Sequence, residues 1–498
     1  MRVLRLLALL VLLPAGVSAQ DSTPPPASPP PRNTTLFDTA SLSRALDPLP
    51  AVRFDLPQTP AGSQVDADMQ GRACAGCPRR NLKWPLFDVL WLNVMYNGIN
   101  HARGHDTARV TPKTWWDNME SGFEWDINDW GTNQVGHPYQ GSNYFTAGRA
   151  NGLGFYESAA VAAFGSATWE FYFENNRASF NDLINTTLGG IALGEVFHRL
   201  AWMVRDPASE GRKTKKLFAT IIDPLGGLTR MVSGDANRVA AKPPTMTPSS
   251  VRYSIAGGAM WQGSSLSDVD DVGLPFVDMA LFYGDTRETR STVPYGSFDA
   301  VFSFGAGMTQ SGIRGRLFGT PFGGAYQFNL LQTFDFIVNP AYDYGGQGVE
   351  LEVGMRRSIF SGTTLWMAGG GGVTLLGAVN SLVEAVDGAA VPQGAGADGS
   401  RPYDYGPGFR WSGVIQMSQG SLPYMTIAYQ GYHVAVVDGR RANHVLQRLY
   451  VDARMSVKHS FAVGVAAEYF FRKAYFWPAG NRTDESPQLR AYVAWSPR

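Results

Sequence analysis

The chain has 498 residues, of which 44% are hydrophobic, 12% aromatic and 17% charged. Lysine plus arginine and aspartate plus glutamate number 42 each, so no net charge attracts nucleic acid, and we expect no nucleic-acid partner. The length allows two or three domains. The 56 glycines, together with the many aromatic residues, favour membrane-type β-structure over an ordinary soluble enzyme.

Residues 1–19 predict an export signal peptide. Arg2 and Arg5 precede an apolar run that ends in Val17, Ser18 and Ala19, the small-residue pattern at which signal peptidase cuts. No cysteine follows the run, so an acyl anchor is not expected. We predict export across the inner membrane of a Gram-negative bacterium.

Residues 20–80 are interpreted as a proline-rich linker and arm, which opens with QDSTPPPASPPPRNTT. The only cysteines of the chain, Cys74 and Cys77, lie in this segment. In an oxidising compartment a pair this close most simply forms one disulfide. Redox or metal chemistry is the alternative, but it would need a βαβ context or further zinc ligands that are not evident nearby.

A helical domain is predicted over residues 81–235. Its first helix, from about Pro85, is apolar except for one stripe formed by Asn93, Asn97, Asn100 and His101. We expect the apolar side to pack inward and the stripe to face water; the alternative is a stripe that lines a polar interior. Further helices are predicted over about 143–174 and 179–205, and their uncharged runs are too short to span a bilayer.

Local signals refine these helices. Ser179 is a plausible N-cap, and Asp182 at the third helical position would complete a capping-box-like start. Gly190 and Gly194 have the small-xxx-small spacing that lets helix backbones approach closely. We therefore predict tightly packed helices.

Residues 123–195 contain a dense pattern of charged, amide and glycine residues. FEWDINDWGTNQVGHPYQGSNYF is followed, after Thr146 and Ala147, by GRANGLGFYESAAVAAFGSATWEFYFENNRASFNDLINTTLGGIALGE. This stretch resembles the signature of a bacterial domain-of-unknown-function family numbered 3943, over about residues 115–205. The resemblance implies no particular reaction.

Four residues of this stretch are candidate catalytic residues: His137, Glu170, Glu174 and Asp182. They are the residue types of a metal site or of acid/base chemistry, and Glu170 and Glu174 lie one turn apart. No H-E-x-x-H, D-x-D or paired Cys/His spacing fixes a geometry, so we expect neither a metal nor a cofactor. The alternative is a purely structural role, shared with a cluster formed by Asn133, Arg149, Glu157, Trp169, Asn181 and Glu195. In either case we expect Glu170 and Asp182 to lie in the domain interior beside His137 or Arg149.

From about residue 245 the hydrophobic period changes to two. Segments of about ten residues alternate apolar and polar side chains between turn-forming clusters, which is typical of a transmembrane β-barrel. A soluble β-sandwich is the alternative. The segments indicate 11 or 12 strands over residues 245–498, and because bacterial single-chain barrels have even strand numbers, we predict 12. The closing strand, with Leu489, Ala491, Val493 and Trp495 alternating, resembles the signal that the barrel-assembly machinery reads, although three residues follow it.

The sequence thus predicts an α+β protein, with a small periplasmic helical domain followed by a C-terminal outer-membrane antiparallel β-barrel. The favoured function is a scaffold or transport component whose helices plug the lumen or dock at its periplasmic mouth. The alternative is an enzyme that modifies membrane lipids with His137 and the nearby carboxylates. Expected partners are outer-membrane lipid and the barrel-assembly machinery. Convergence of these side chains in a pocket at bilayer level would favour the enzyme, and dispersal among helix caps would favour the scaffold.

Overall fold

The computed structural model describes residues 80–205, 213–233 and 246–497, except for 267, 269–270, 288–289, 361, 382–401, 420–422, 459 and 478–479. The predicted signal peptide, nearly all of the proline-rich arm and the Cys74–Cys77 disulfide lie outside the described residues.

Helices occupy the first part of the described chain. Their bounds are α1 Lys83–Ala102, α2 Pro112–Glu120, α3 His137–Ala150, α4 Phe155–Tyr172, α5 Phe180–Ile184, α6 Gly190–Val204, α7 Lys213–Ile222 and α8 Pro224–Val232. Two π-helical turns, Thr132–Gly136 and Asn185–Gly189, lead directly into α3 and α6. Among the helices described, none is both long and apolar enough to cross a membrane.

Glycines bring α3 and α6 into backbone contact. A Cβ atom added to Gly141 would lie 1.7 Å from the carbonyl oxygen of Thr186, and one added to Gly190 would lie 2.4 Å from the carbonyl carbon of Gly141. A Cβ on Gly194 would lie 2.8 Å from the ring of Phe145. The close packing predicted from Gly190 and Gly194 is therefore present.

The expected orientation of α1 is wrong. Asn93 is fully buried and donates to Thr168 Oγ1 at 3.0 Å, and Asn97 donates to two backbone carbonyls. Four apolar residues on the opposite face are each more than half exposed: Trp84, Phe87, Trp91 and Val94. The amides point inward because they bond buried polar groups of the domain. An outward apolar face suits contact with lipid.

Twelve strands follow the helices and form a closed antiparallel barrel. They are β1 Val251–Gln262, β2 Asp271–Tyr283, β3 Phe298–Gly305, β4 Met308–Phe322, β5 Tyr326–Val338, β6 Asp343–Phe360, β7 Thr363–Asn380, β8 Tyr403–Gln419, β9 Pro423–Ala435, β10 Ala442–Lys458, β11 Phe461–Phe476 and β12 Gly480–Trp495. β12 pairs with β1, with Ile255 opposite Trp495. The predicted fold class and strand number are confirmed.

Side chains of opposite character face the two sides of the barrel wall. Apolar residues exposed on the outer side include Leu351 and Val353 on β6, Val463 and Val465 on β11, and Leu489 and Val493 on β12. Their neighbours Glu350, Glu352 and Arg490 point inward, are nearly completely buried and form ion pairs. An apolar exterior around a polar interior is the pattern of a transmembrane barrel.

Ion pairs and aromatic side chains bridge the lumen. Arg410 on β8 pairs with Asp335 on β5 and with Glu350 on β6. Arg472 on β11 donates to Asn380 on β7, at 3.1 Å from its side-chain oxygen. A buried cluster further occupies the lumen and includes Tyr342, Tyr344, Tyr432 and Phe470. These contacts join non-adjacent strands across the lumen.

The helical domain packs against the outer wall of the barrel. On β5, Asp335 faces the lumen, whereas Phe334 and Phe336 on either side of it pack against the helical core. On β8, Tyr403 and Tyr405 face outward and contact the rings of Trp130 and Trp125. The domain thus lies beside the barrel rather than in its lumen or at its mouth, where we expected it. The lumen already holds paired charges, whereas the outer wall offers aromatic surface.

Two aromatic residues of β2, Phe276 and Tyr283, are buried rather than exposed on the outer surface. Phe276 is 3% exposed and sits beneath the guanidinium of Arg490 inside the barrel. Tyr283 is 1% exposed because the helical domain covers it, and its hydroxyl donates to the carbonyl oxygen of Met246 at 2.8 Å. Trp477, in contrast, is exposed.

Candidate functional site

Three of the four candidate catalytic residues meet in the interior of the helical domain. His137 begins α3, Glu170 lies near the end of α4 and Asp182 lies in α5. One potential ligand atom from each lies within 4.8 Å of the others, and His137 Nε2 is 3.5 Å from Asp182 Oδ1. All three side chains are at least 95% buried. The structure therefore groups Glu170 and Asp182 with His137, as expected.

Irregular helical turns position this site. The π-helical turn Thr132–Gly136 ends directly before His137, and the second one, Asn185–Gly189, begins three residues after Asp182. Thr186 in the second turn places its hydroxyl oxygen 3.2 Å from His137 Nδ1. Single π-helical turns inside α-helices occur frequently at functional sites.

The capping role expected for Asp182 is wrong. Ser179 is the N-cap of α5, but its side chain makes no capping hydrogen bond. Its backbone N–H donates instead to Glu170 Oε2 at 2.7 Å. The carboxylate of Asp182 accepts from Asn181 Nδ2 and lies beside His137, with Oδ1 3.5 Å from His137 Nε2.

Amide side chains connect the site to the barrel. Asn181 Nδ2 donates to Asp182 Oδ1 at 2.7 Å, and Asn181 Oδ1 accepts from the backbone N–H of Asp126 at 2.8 Å. Asn133 Nδ2 lies 3.0 Å from Asp126 Oδ2 and 2.7 Å from the hydroxyl oxygen of Tyr403 on β8. Asn133 and Asn181, both from the predicted structural cluster, thus link the candidate site to the outer wall of the barrel by hydrogen bonds.

Burial and like charge dominate the electrostatics. Burial raises the pKa of Glu170 and of Asp182 well above their ordinary values, and a neighbouring carboxyl group raises each further: Glu174 acts on Glu170, and Asp126 acts on Asp182. Burial also raises the pKa of Glu174 to about 8. Burial lowers the pKa of His137 to about 4, so its imidazole is neutral at pH 7. Among the described residues, neither Glu170 nor Asp182 pairs with an arginine or lysine.

The other residues of the predicted structural cluster lie at separate places. Arg149 and Glu195 form a buried ion-pair triad with Arg199. Glu157 accepts from the backbone N–H of Gly154 at the start of α4. Trp169 stacks on Phe173 next to the cavity described below.

A cavity of about 1060 Å³ separates the helices from the outer wall of β1–β5. Its wall on the barrel side consists of outward-facing residues, which include Tyr253, Ile255, Met279, Leu281, Phe302, Phe304 and Phe336. The helices contribute Tyr96, Phe197 and Leu200, together with the polar residues Asn100, Arg103, His105, His137, Gln140 and Glu174. The fourth candidate, Glu174, therefore lies at this cavity together with His137. The cavity is apolar along the barrel and polar toward the candidate site.

The sequence did not indicate several of these participants. Thr186, Tyr403 and Tyr405 reach the site or its supporting asparagines, but no spacing marked them. Tyr403 is 270 residues away from Asn133, its hydrogen-bond partner. Such long-range contacts leave no local pattern in a single sequence.

The fold defines a transmembrane β-barrel of the outer-membrane class with a helical domain docked on its outer wall. Residues 122–225 match the model of a family described as a domain of unknown function, DUF3943, which confirms the resemblance found in the sequence. These residues include His137, Glu170, Glu174 and Asp182. No curated protein sequence matches the chain.

Solved structures similar to this chain are outer-membrane barrels. The NanC porin has 10% sequence identity and a TM-score of 0.24, with 49% of this chain and 98% of that chain covered. The KdgM porin has 7% identity and a TM-score of 0.23 over the same shares. OmpT of Vibrio cholerae lacking its loop L8 has 8% identity and a TM-score of 0.20, with 50% and 99% covered. Similarity at this level carries no argument about function.

Proposed function

We propose that the protein is an outer-membrane barrel that binds a membrane lipid between its helical domain and the outer wall of the barrel. One observation carries this proposal: a cavity of about 1060 Å³ is lined on its barrel side mainly by outward-facing apolar side chains of β1–β5. Side chains of this kind face lipid on a transmembrane barrel. This volume lies just above the roughly 300–1,000 Å³ range of small-molecule sites. In this proposal the barrel is a scaffold, and ion pairs that cross its lumen between non-adjacent strands support that role.

The chemistry of the cavity suits an amphipathic lipid. Acyl chains would contact Ile255, Leu281 and Phe302 on the barrel wall, which is continuous with the surface that faces the bilayer. Arg103 and His105 line the polar part of the cavity, where they suit a phosphate-bearing headgroup. The exposed apolar face of α1 would bury its tryptophans in the same membrane.

The proposal includes a route to the membrane. The N-terminal signal peptide would direct export and be removed after Ala19. The barrel-assembly machinery would then read β12, in which Leu489, Val493 and Trp495 alternate outward. The helical domain would dock on the wall as the barrel closes.

A bulky residue in the cavity should abolish lipid binding. We expect the full chain, purified in detergent, to retain about one phospholipid and Leu281→Trp to lose it, because the indole would fill space beside Phe302. Lipid bound per chain is measured by native mass spectrometry and by extraction. Ile255→Trp, a second substitution on the same cavity wall, should have the same effect.

Val277→Trp provides the matched control. Val277 also faces outward on β2, four residues from Leu281, but it does not line the cavity. This variant should keep the lipid, and heat-modifiable gel migration should show that both variants form the barrel. Equal lipid retention in Leu281→Trp and Val277→Trp would contradict the proposal.

A second candidate function is enzymatic modification of that lipid. It is favoured by the convergence of His137 with Glu170 and Asp182, and by the position of His137 and Glu174 at the cavity. We expect lipid vesicles incubated with the protein to yield a product of altered mass, and Glu174→Gln to reduce its formation by roughly 10²-fold or more. Lipid binding should persist in this variant. Absence of any product from phospholipid and lipopolysaccharide substrates would leave lipid binding as the function.

A further inference from the structure

We infer that His137, Glu170 and Asp182 bind a divalent transition-metal cation such as Zn²⁺ or Mn²⁺. Their potential ligand atoms all lie within 4.8 Å of one another, inside the helical domain. This inference does not depend on the lipid, because the three residues come from α3, α4 and α5 and the barrel contributes none of them.

Unpartnered carboxylate oxygens point to a missing cation. Glu170 Oε1 and Asp182 Oδ2 are buried, each side chain is 1% exposed, and neither oxygen has a hydrogen-bond partner. The other oxygens are used, since Glu170 Oε2 accepts from Ser179 N and Asp182 Oδ1 accepts from Asn181 Nδ2. Each carboxylate is thus held by one oxygen while the second remains without a donor. Leaving a buried polar oxygen in this state is costly unless a ligand satisfies it.

The donor set favours a transition metal over Mg²⁺ or Ca²⁺. One imidazole and two carboxylates are ligands that suit Zn²⁺ and Mn²⁺, whereas sites made only of oxygen donors suit the harder cations. The imidazole of His137 supplies the nitrogen donor, and histidine is the commonest metal ligand in proteins. The hydroxyl of Thr186 lies 3.2 Å from His137 Nδ1 and fixes the ring, leaving Nε2 on the side of Asp182.

The supporting contacts resemble those that orient metal ligands. Asn181 bonds Asp182, and Asn181 is itself bonded to the backbone of Asp126. Asp126 also adds negative charge near the site, which strengthens attraction for a cation. Three protein ligands leave a further coordination position for a water molecule. His137 also lines the cavity.

Metal content tests the inference directly. The full chain, purified in detergent, stripped with a chelator and exposed to Zn²⁺ or Mn²⁺ alone, should retain about one ion per chain by elemental mass spectrometry. Asp182→Asn should weaken binding roughly tenfold or more, since it replaces a charged ligand by a neutral amide of the same shape. Glu170→Gln should weaken metal binding to a similar extent. With two ligand variants, the test does not fail if one of them misfolds.

Asp223→Asn is the matched control. Asp223 is equally buried in the same domain and lies 3.6 Å from His198, but it has no third ligand. This variant should retain the metal stoichiometry of the wild type. Zn²⁺ or Mn²⁺ should also raise the melting temperature of the wild type but not that of Asp182→Asn. Less than about 0.2 ion per chain in the wild type, or full retention by both ligand variants, would overturn the inference. Neither result would bear on lipid binding, which Leu281→Trp tests separately.

Discussion

Glu195→Ala is expected to lower the free energy of unfolding of the helical domain by about 3–5 kcal/mol. Glu195 is fully buried between two arginines: Arg149 Nε lies 3.0 Å from its Oε2, and Arg199 Nε lies 2.8 Å from its Oε1. Removing the carboxylate leaves two buried guanidinium groups without their shared counter-charge. Arg199 also donates to the carbonyl oxygen of Pro294 in the loop before β3, so the contact with the barrel should weaken too.

A triple variant tests whether the destabilisation comes from buried charges that have lost their partner. Replacing the whole triad (Arg149→Met, Glu195→Leu, Arg199→Met) should be less destabilising than Glu195→Ala alone, because no unpaired charge remains buried. Denaturant unfolding is followed by the helical circular-dichroism signal, while heat-modifiable migration reports on the barrel. A Glu195→Ala effect below about 1 kcal/mol would show that water reaches the triad, contrary to its burial.

The sequence predicted two kinds of feature: elements with a regular repeat of apolar and polar residues, and groupings that the burial of charged side chains requires. Alternation of apolar and polar residues predicted a 12-stranded barrel, since one face of each strand meets lipid and the other meets paired charges. Glu170 and Asp182 were placed together in the interior because charged residues among small ones must share partners when buried. The same reasoning placed Arg149 near them as an alternative, but Arg149 pairs with Glu195 instead.

Other features depend on surroundings that one sequence does not reveal. Amphipathicity showed that α1 has two faces, but the choice between them depended on whether water or lipid lies outside. On β4, Gly315 makes room for the ring of Tyr295 and Arg314 pairs with Glu350, and neither contact can be read from the local pattern of the strand. The position of the helices on the outer wall rests on contacts such as Gln332 with the carbonyl oxygen of Leu188, 144 residues apart.

Gly141→Ala is expected to destabilise the helical domain by about 3 kcal/mol or more and to disturb the candidate site. The added Cβ would lie 1.7 Å from the carbonyl oxygen of Thr186 and 3.0 Å from the Cα of Gly190. These are backbone atoms, which cannot move aside as the end of a flexible side chain can. The π-helical turn Asn185–Gly189 must therefore shift away from α3.

Gly98→Ala is the control for Gly141→Ala, because a Cβ on Gly98 in α1 would meet nothing within 4 Å. There the same substitution should stabilise by about 0.5–1 kcal/mol, since alanine loses less backbone entropy in a helix than glycine. Thermal unfolding of both variants separates the two effects. A shift of the π-helical turn also moves Thr186, whose hydroxyl lies 3.2 Å from His137 Nδ1. Gly141→Ala should therefore weaken Zn²⁺ retention although it changes no ligand, whereas Gly98→Ala should leave it unchanged. If the two variants unfold at the same temperature, the close contact between α3 and α6 does not hold in solution.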